Sequence, residues 1–211
     1  METSALAVLG IGFILGLKHA TDADHVVAVT TFVGEGKELS RAVLIGLFWG
    51  FGHTIALSLA GFIVVGLKIP MTQWLAARLE LVVAAMLVFL GARVIATVHS
   101  KSHEQAGHFH WTRFGIKPIV VGLVHGAAGS AALTLLVLST ISSPRYAILY
   151  IAVFGIGSMI GMAAISVLLA LPLRFADRKL SAFVRPIQVS AGVFSCAFGL
   201  YLASDVWTGL I

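Results

Sequence analysis

The seven residues His19-Ala20-Thr21-Asp22-Ala23-Asp24-His25 put two imidazoles and two carboxylates inside a run that is otherwise apolar from about Ser4 to Val33. An ionisable side chain near the centre of a bilayer costs several kcal/mol, so such groups persist there mainly for function. All four are metal-ligand types. Imidazole nitrogen combined with carboxylate oxygen suits Ni²⁺, Co²⁺ or Zn²⁺, whereas a soft Cu(I) site calls for paired thiolates. The single cysteine, Cys196, excludes that alternative and any internal disulfide. It reads as a small packing residue in the last helix. The segment therefore points to a site for a divalent cation within a membrane. Imidazole ligates only when neutral, so binding is expected to fall as the pH drops through about 6.5.

Helical geometry limits what this segment can offer. At about 100° per residue, with His19 as the origin, Asp22 lies near 300°, His25 near 240° and Asp24 near 140°. His19, Asp22 and His25 share one face; Asp24 does not. Either the helix is distorted here, as site helices of transporters often are, or one carboxylate stands behind a ligand. Asp24 is the candidate for that second role, orienting an imidazole on its own or a neighbouring helix. Lys18 lies four residues before Asp22 and could pair with it, either as a structural ion pair or to offset carboxylate charge in the empty site. A further histidine, His53, sits deep in the next apolar run within Gly50-Phe51-Gly52-His53-Thr54, and His125 sits within Gly122-Leu123-Val124-His125-Gly126. The expectation is that His19 and His53 meet at one ion, with Asp22 or His25 completing the set. The candidate metal ligands are thus His19, Asp22, Asp24, His25, His53 and His125. Glu80, beside Arg78, is expected at the membrane interface.

These residues need elements that hold them within lipid. Hydrophobic residues make up 59% of the chain and charged residues 11%, and the mean hydropathy is +1.01. Soluble domains do not have this composition. A spanning helix needs roughly 20 mostly apolar residues. Six candidates follow, at about 4–33, 41–67, 73–98, 117–141, 145–172 and 182–208, so the fold class is an all-α polytopic membrane protein with 1–211 as one membrane domain. The net charge of +5 gathers on one side. Lys37, Arg41, Arg93, Lys101, Arg113, Lys117, Arg174, Arg178, Lys179 and Arg185 follow the first, third and fifth spans, against Lys68, Arg78 and Arg145 opposite. This asymmetry predicts both termini outside the cytoplasm, and it reads as topology, not as a nucleic-acid footprint.

The two halves, 1–98 and 117–211, look alike. Gly16-Leu17-Lys18-His19-Ala20 matches Gly122-Leu123-Val124-His125-Gly126. Gly52-His53-Thr54 falls opposite Gly157-Ser158-Met159, and Glu80 and Gly91 fall opposite Gln188 and Gly199, at offsets of 106, 105 and 108 residues. Three spans per half would make the second half enter from the opposite face, giving a 3+3 inverted repeat with its site near the midplane. Gly12/Gly16, Gly46/Gly50, Gly122/Gly126 and Gly157/Gly161 form small-xxx-small steps suited to close helix packing in lipid.

Four of the eight histidines fall between His99 and His110. Short His-rich tracts bind transition metals weakly, and this one reads as a cytoplasmic collecting or regulatory point or as a solvated polar loop.

The motif HATDADH, with its His19-x4-Asp24-His25 spacing, resembles the signature of the nickel/cobalt transporter superfamily. Gly52-His53-Thr54 resembles that superfamily's second, Gly-His-Ser/Thr motif one helix later. The further acidic motifs of the larger eight-helix permeases are absent, and the segment around His125 is more similar to the compact, urease-accessory-type branch. The resemblance implies secondary transport of Ni²⁺ or Co²⁺ across a cytoplasmic membrane, with His19, Asp24 and His25 above all needed for recognition. The ion would be substrate, not cofactor. Efflux members share the core motif, often with a His-rich loop; the short loop here favours uptake, which implies a cytoplasmic metal acceptor.

Other readings have less support. No Walker-type phosphate loop and no His-Glu-x-x-His is present, so an ATPase or metalloprotease is not expected. A b-type haem protein could use His53 and His125 as axial ligands but leaves Asp22 and Asp24 without a task. A channel or accessory subunit that needs a partner stays open.

Overall fold

The computed structural model describes residues 2–33, 38–67, 72–100, 111–127, 141, 143–175 and 181–210. Its elements are α1 (Glu2–His19), α2 (Ala23–Val33), α3 (Leu39–Gly61), which runs into a π-helical turn (Phe62–Gly66), α4 (Gln73–Ser100), α5 (Trp111–Gly126), α6 (Pro144–Phe175) and α7 (Ser181–Leu210). Among the described residues there is no strand. In hydrocarbon no water satisfies a bare backbone group, and a helix satisfies its own. Among the described residues four stretches are long and apolar enough to cross a membrane: Leu39–Val64, Gln73–His99, Arg145–Pro172 and Arg185–Gly209. Two shorter apolar helices, Ala7–His19 and Gly115–Gly126, join them. The chain is a multi-pass, all-α membrane protein.

Burial runs opposite to that of a water-soluble domain. Phe89, Ile148, Leu168, Phe194 and Trp207 are exposed on the outer faces, while His19, His25, His53 and His125 are buried. Lipid tails are as apolar as leucine, so association depends on close backbone approach. Helix α1 packs on α6, α5 on α3, α3 on α6 and α4 on α7.

The contacts recur between halves. A Cβ on Gly16 would strike the Phe154 carbonyl and the Ser158 amide; a Cβ on Gly122 would strike the Trp49 carbonyl and the His53 amide. These are the same three positions shifted by 106 residues in α1/α5 and 105 in α3/α6. Likewise Gly157 meets the Phe13 carbonyl and Gly52 the Ile119 carbonyl. Between α4 and α7, Gly91 meets Gly192 and Gly199 meets Ala84. Ser195 Oγ donates to the Leu87 carbonyl 108 residues earlier at 2.8 Å, and Cys196 Sγ to the Val88 carbonyl at 3.4 Å.

Two expected spans take a different form. The single helix expected over 4–33 is broken at Ala20–Asp22 into α1 and α2. Thr21 and Asp22 amides bond the Lys18 and His19 carbonyls at 2.8 and 3.1 Å, an i→i−3 tightening that closes α1. Asp22 then receives the His25 and Val26 amides and begins α2. Threonine and aspartate favour such helix starts over helix interiors, which is the local reason for the break. The span expected over 117–141 is α5, which ends at Gly126; residues 128–140 lie outside those described. The other four expected spans correspond to α3 with its π turn, α4, α6 and α7 within a few residues.

Candidate metal site

Helices α1 and α5 both end at the site. His19 is the last residue of α1 and His125 the last but one of α5; His25 stands in the first turn of α2 and His53 within α3. Each helix C-terminus carries roughly half a negative charge. Two of them therefore converge on one buried cluster, a setting that favours a cation.

The imidazoles are almost dehydrated, at 7% exposure for His19, 0% for His25, 1% for His53 and 0% for His125. His19 Nε2 and His53 Nε2 are 2.9 Å apart. The His25 ring centroid lies 4.5 Å from that of His19 and 5.1 Å from that of His53. His125 lies to the other side, 4.2 Å from His25 and 6.2 Å from His53.

Carboxylates hold three of these rings. His19 Nδ1 donates to Asp22 Oδ2 at 2.9 Å. Asp24 Oδ1 accepts from both the His25 amide (2.9 Å) and His25 Nδ1 (3.0 Å), and its Oδ2 accepts from His125 Nε2 at 2.8 Å. An ionised carboxylate only accepts, so each of these ring nitrogens carries the proton. His19 Nε2 and His25 Nε2 are then left with free lone pairs. Carboxylate–imidazole pairs of this kind fix the tautomer and raise ligand basicity. The contact with His19 Nε2 makes His53 Nε2 the donor, and His53 Nδ1 is buried without a partner, as are His25 Nε2 and His125 Nδ1.

Among the described residues two sets have their potential ligand atoms all within 4.8 Å of one another: His19, His25 and His53, and Asp24, His25 and His125. Of the six residues expected from sequence, five fall in these sets. Asp22 does not; its side chain is 43% exposed and backs His19 from outside. Asp24, expected to stand behind a ligand, bonds the His25 and His125 rings at once and is itself a member of the second set. Lys18 is exposed, and Asp22 turns to His19 instead of to it. Arg78 stacks over the Trp74 ring at 3.5 Å, far along the chain from these ligands. His99 Nδ1 donates to the Ile95 carbonyl, and the remaining histidines of that tract lie outside the described residues.

Two aromatic residues escaped the sequence reading. Trp49 stacks on His25 at 5.7 Å and meets His125 edge-on at 5.8 Å, and Phe154 lies 5.6 Å from His19. Both are buried. They occupy matching positions, 105 residues apart and four residues before His53 and Ser158. That coincidence was the available signal.

No family model matches the chain, and no solved structure matches it. The urease accessory protein UreH of Bacillus sp. (strain TB-90) is 36% identical over 210 residues, covering 95% of this chain and 92% of that protein. Identity at that level over nearly the whole of both chains, in agreement with the branch that the segment around His125 resembles, establishes that this chain belongs to the UreH family of urease accessory proteins.

Proposed function

We propose that the protein is a secondary transporter, not an enzyme, that carries Ni²⁺ inward across the cytoplasmic membrane through the His19–His25–His53 group. The observation that carries this reading is the 2.9 Å approach of His19 Nε2 and His53 Nε2, buried among apolar helices. Clustered neutral imidazoles suit a borderline divalent ion such as Ni²⁺. Kinship with a urease accessory protein, and the resemblance to nickel permeases, support nickel over cobalt. The membrane potential supports inward movement, favouring a divalent ion by about 4.6 kcal/mol per 100 mV.

Accumulation of ⁶³Ni²⁺ in cells tests this. Cells expressing the protein are expected to accumulate more label than empty cells, His19→Ala cells no more than empty cells, and excess Co²⁺ to compete better than Zn²⁺. Less label than in empty cells would reverse the direction to efflux. Equal label in all three would remove the transport reading.

The finer architecture is part of the same proposal. The recurring glycine contacts support a 3+3 inverted repeat with both termini facing away from the cytoplasm. Alkaline phosphatase fused after Ile211 is then expected to be active, and green fluorescent protein at the same point dark. The reverse pattern would invert the topology.

A further inference from the structure

We propose that Asp24, His25 and His125 form a second coordination site, which the ion enters from the His19–His25–His53 group by crossing the single imidazole of His25. This rests on the transport reading above and adds a path to it.

The rings form a row. His19 and His53 touch at one end, His25 stands in the middle and His125 closes the other end, 4.2 Å from His25 but 6.2 Å from His53. His25 is shared by both ligand sets. Its two nitrogens are divided: Nδ1 faces Asp24, which leaves Nε2, buried and unpartnered, for the His19–His53 end. One ring can therefore serve two positions without moving.

The second set differs in chemistry. The first offers three neutral imidazoles; the second exchanges two of them for one imidazole and a carboxylate, adding a negative charge. Asp24 already has one oxygen on each ring, at 3.0 and 2.8 Å, so it stands where an ion held by both would need it. For such an ion to bind, the protons now on His25 Nδ1 and His125 Nε2 must leave the metal-facing nitrogens. The opposite nitrogens, His25 Nε2 and His125 Nδ1, are the buried atoms without partners. Each ring changes tautomer, releasing a proton from one nitrogen and taking one up at the other by exchange with solvent water, so the cluster gains or loses none. Trp49 lies over both His25 and His125, covering this end with apolar surface.

The rival account is that His125 only braces Asp24, which in turn braces His25. Glutamine at 125 separates the two, because its amide can still donate to Asp24 but is a poor metal ligand. Purified protein is assayed for ⁶³Ni²⁺ binding in detergent and for uptake into proteoliposomes. His125→Gln is expected to bind within about 3-fold of wild type, against the 10–100-fold effects of lost bracing partners, and to transport at least about 10-fold more slowly. Wild-type transport by this variant overturns the second site and leaves the first intact. Equal loss of binding and transport also overturns it, since His125 then acts on the first group. Wild-type protein that binds no Ni²⁺ removes the transport reading and this inference together.

A second measurement is independent of transport. His53→Ala breaks the first set alone, and weak residual Co²⁺ binding, read by its visible absorption, is expected to remain. It is expected to vanish in His53→Ala/His125→Gln. Persistence in the double variant overturns the proposal.

Discussion

Alanine at position 53 lowers Ni²⁺ affinity by at least about 100-fold and leaves the protein folded. His53 is the one member of the His19–His25–His53 group that comes from α3, so its loss leaves two ligands from a single short stretch around the α1–α2 break. Losing a partner behind a metal ligand already costs 10–100-fold in affinity; losing the ligand itself costs more. The fold tolerates the change for a reason visible in the hydrogen bonds. No carboxylate holds His53, and its Nδ1 is buried without a partner. Removing it strands no buried donor, only the accepting Nε2 of His19, and abolishes an existing unsatisfied group. An orphaned buried polar atom costs about 1–3 kcal/mol, which offsets much of the cavity left by the ring. Equilibrium ⁶³Ni²⁺ binding and thermal unfolding on the same detergent-purified sample check both halves of this expectation. Wild-type affinity in the variant would show that the three imidazoles do not share an ion.

The histidines were legible in the sequence because each interrupts an apolar run, where an ionisable group has no bland reason to be. The separation of Asp24 from Asp22 was legible too, since helical spacing alone turns one away from the other, and the two carboxylates bond different rings. What spacing could not give was the break at Ala20–Asp22. A 3.6-residue period assumes one continuous helix, and the change of direction depends on which backbone groups Thr21 and Asp22 engage. The same limit hid the placement of Asp22: on an ideal helix it shares the ligand face with His19, whereas past the break it bonds Nδ1 of that ring. Trp49 and Phe154 were hidden for another cause. An aromatic residue in a membrane helix is usually lipid-facing or core, and only the match between halves marks these two as a pair. His125 was found by that match, but its contact with Asp24, 101 residues away, requires the packing of α5 against the first half.

Valine at Gly122 prevents the protein from being recovered as a folded, monodisperse species, and alanine there lowers its unfolding midpoint sharply. A Cβ at Gly122 would overlap the Trp49 carbonyl oxygen and stand 2.6 Å from Trp49 Cδ1 and 2.9 Å from the His53 amide nitrogen. A flexible side chain could swing aside; a helix backbone cannot, so α5 would have to move off α3. Overpacking of side chains typically costs 1–3 kcal/mol, and a clash with main chain belongs at or above the top of that range. Gly16→Val is expected to act alike, because its Cβ would strike the Phe154 carbonyl and the Ser158 amide at the matching contact of α1 with α6. Gly10→Ala is the control. Nothing lies within 4 Å of its Cβ position, and replacing a helical glycine by alanine there should stabilise by about 0.5–1 kcal/mol. Size-exclusion recovery reads the two valine variants, thermal unfolding in detergent compares Gly122→Ala with Gly10→Ala, and a wild-type midpoint for Gly122→Ala would rule out the close approach. The consequence reaches the site because Gly122 contacts the backbone of Trp49 and His53 themselves. The glycine that lets α5 touch α3 also sets where His125, three residues on in α5, stands beside Trp49 and His53, so in this protein close packing and the placement of a candidate ligand depend on the same contact.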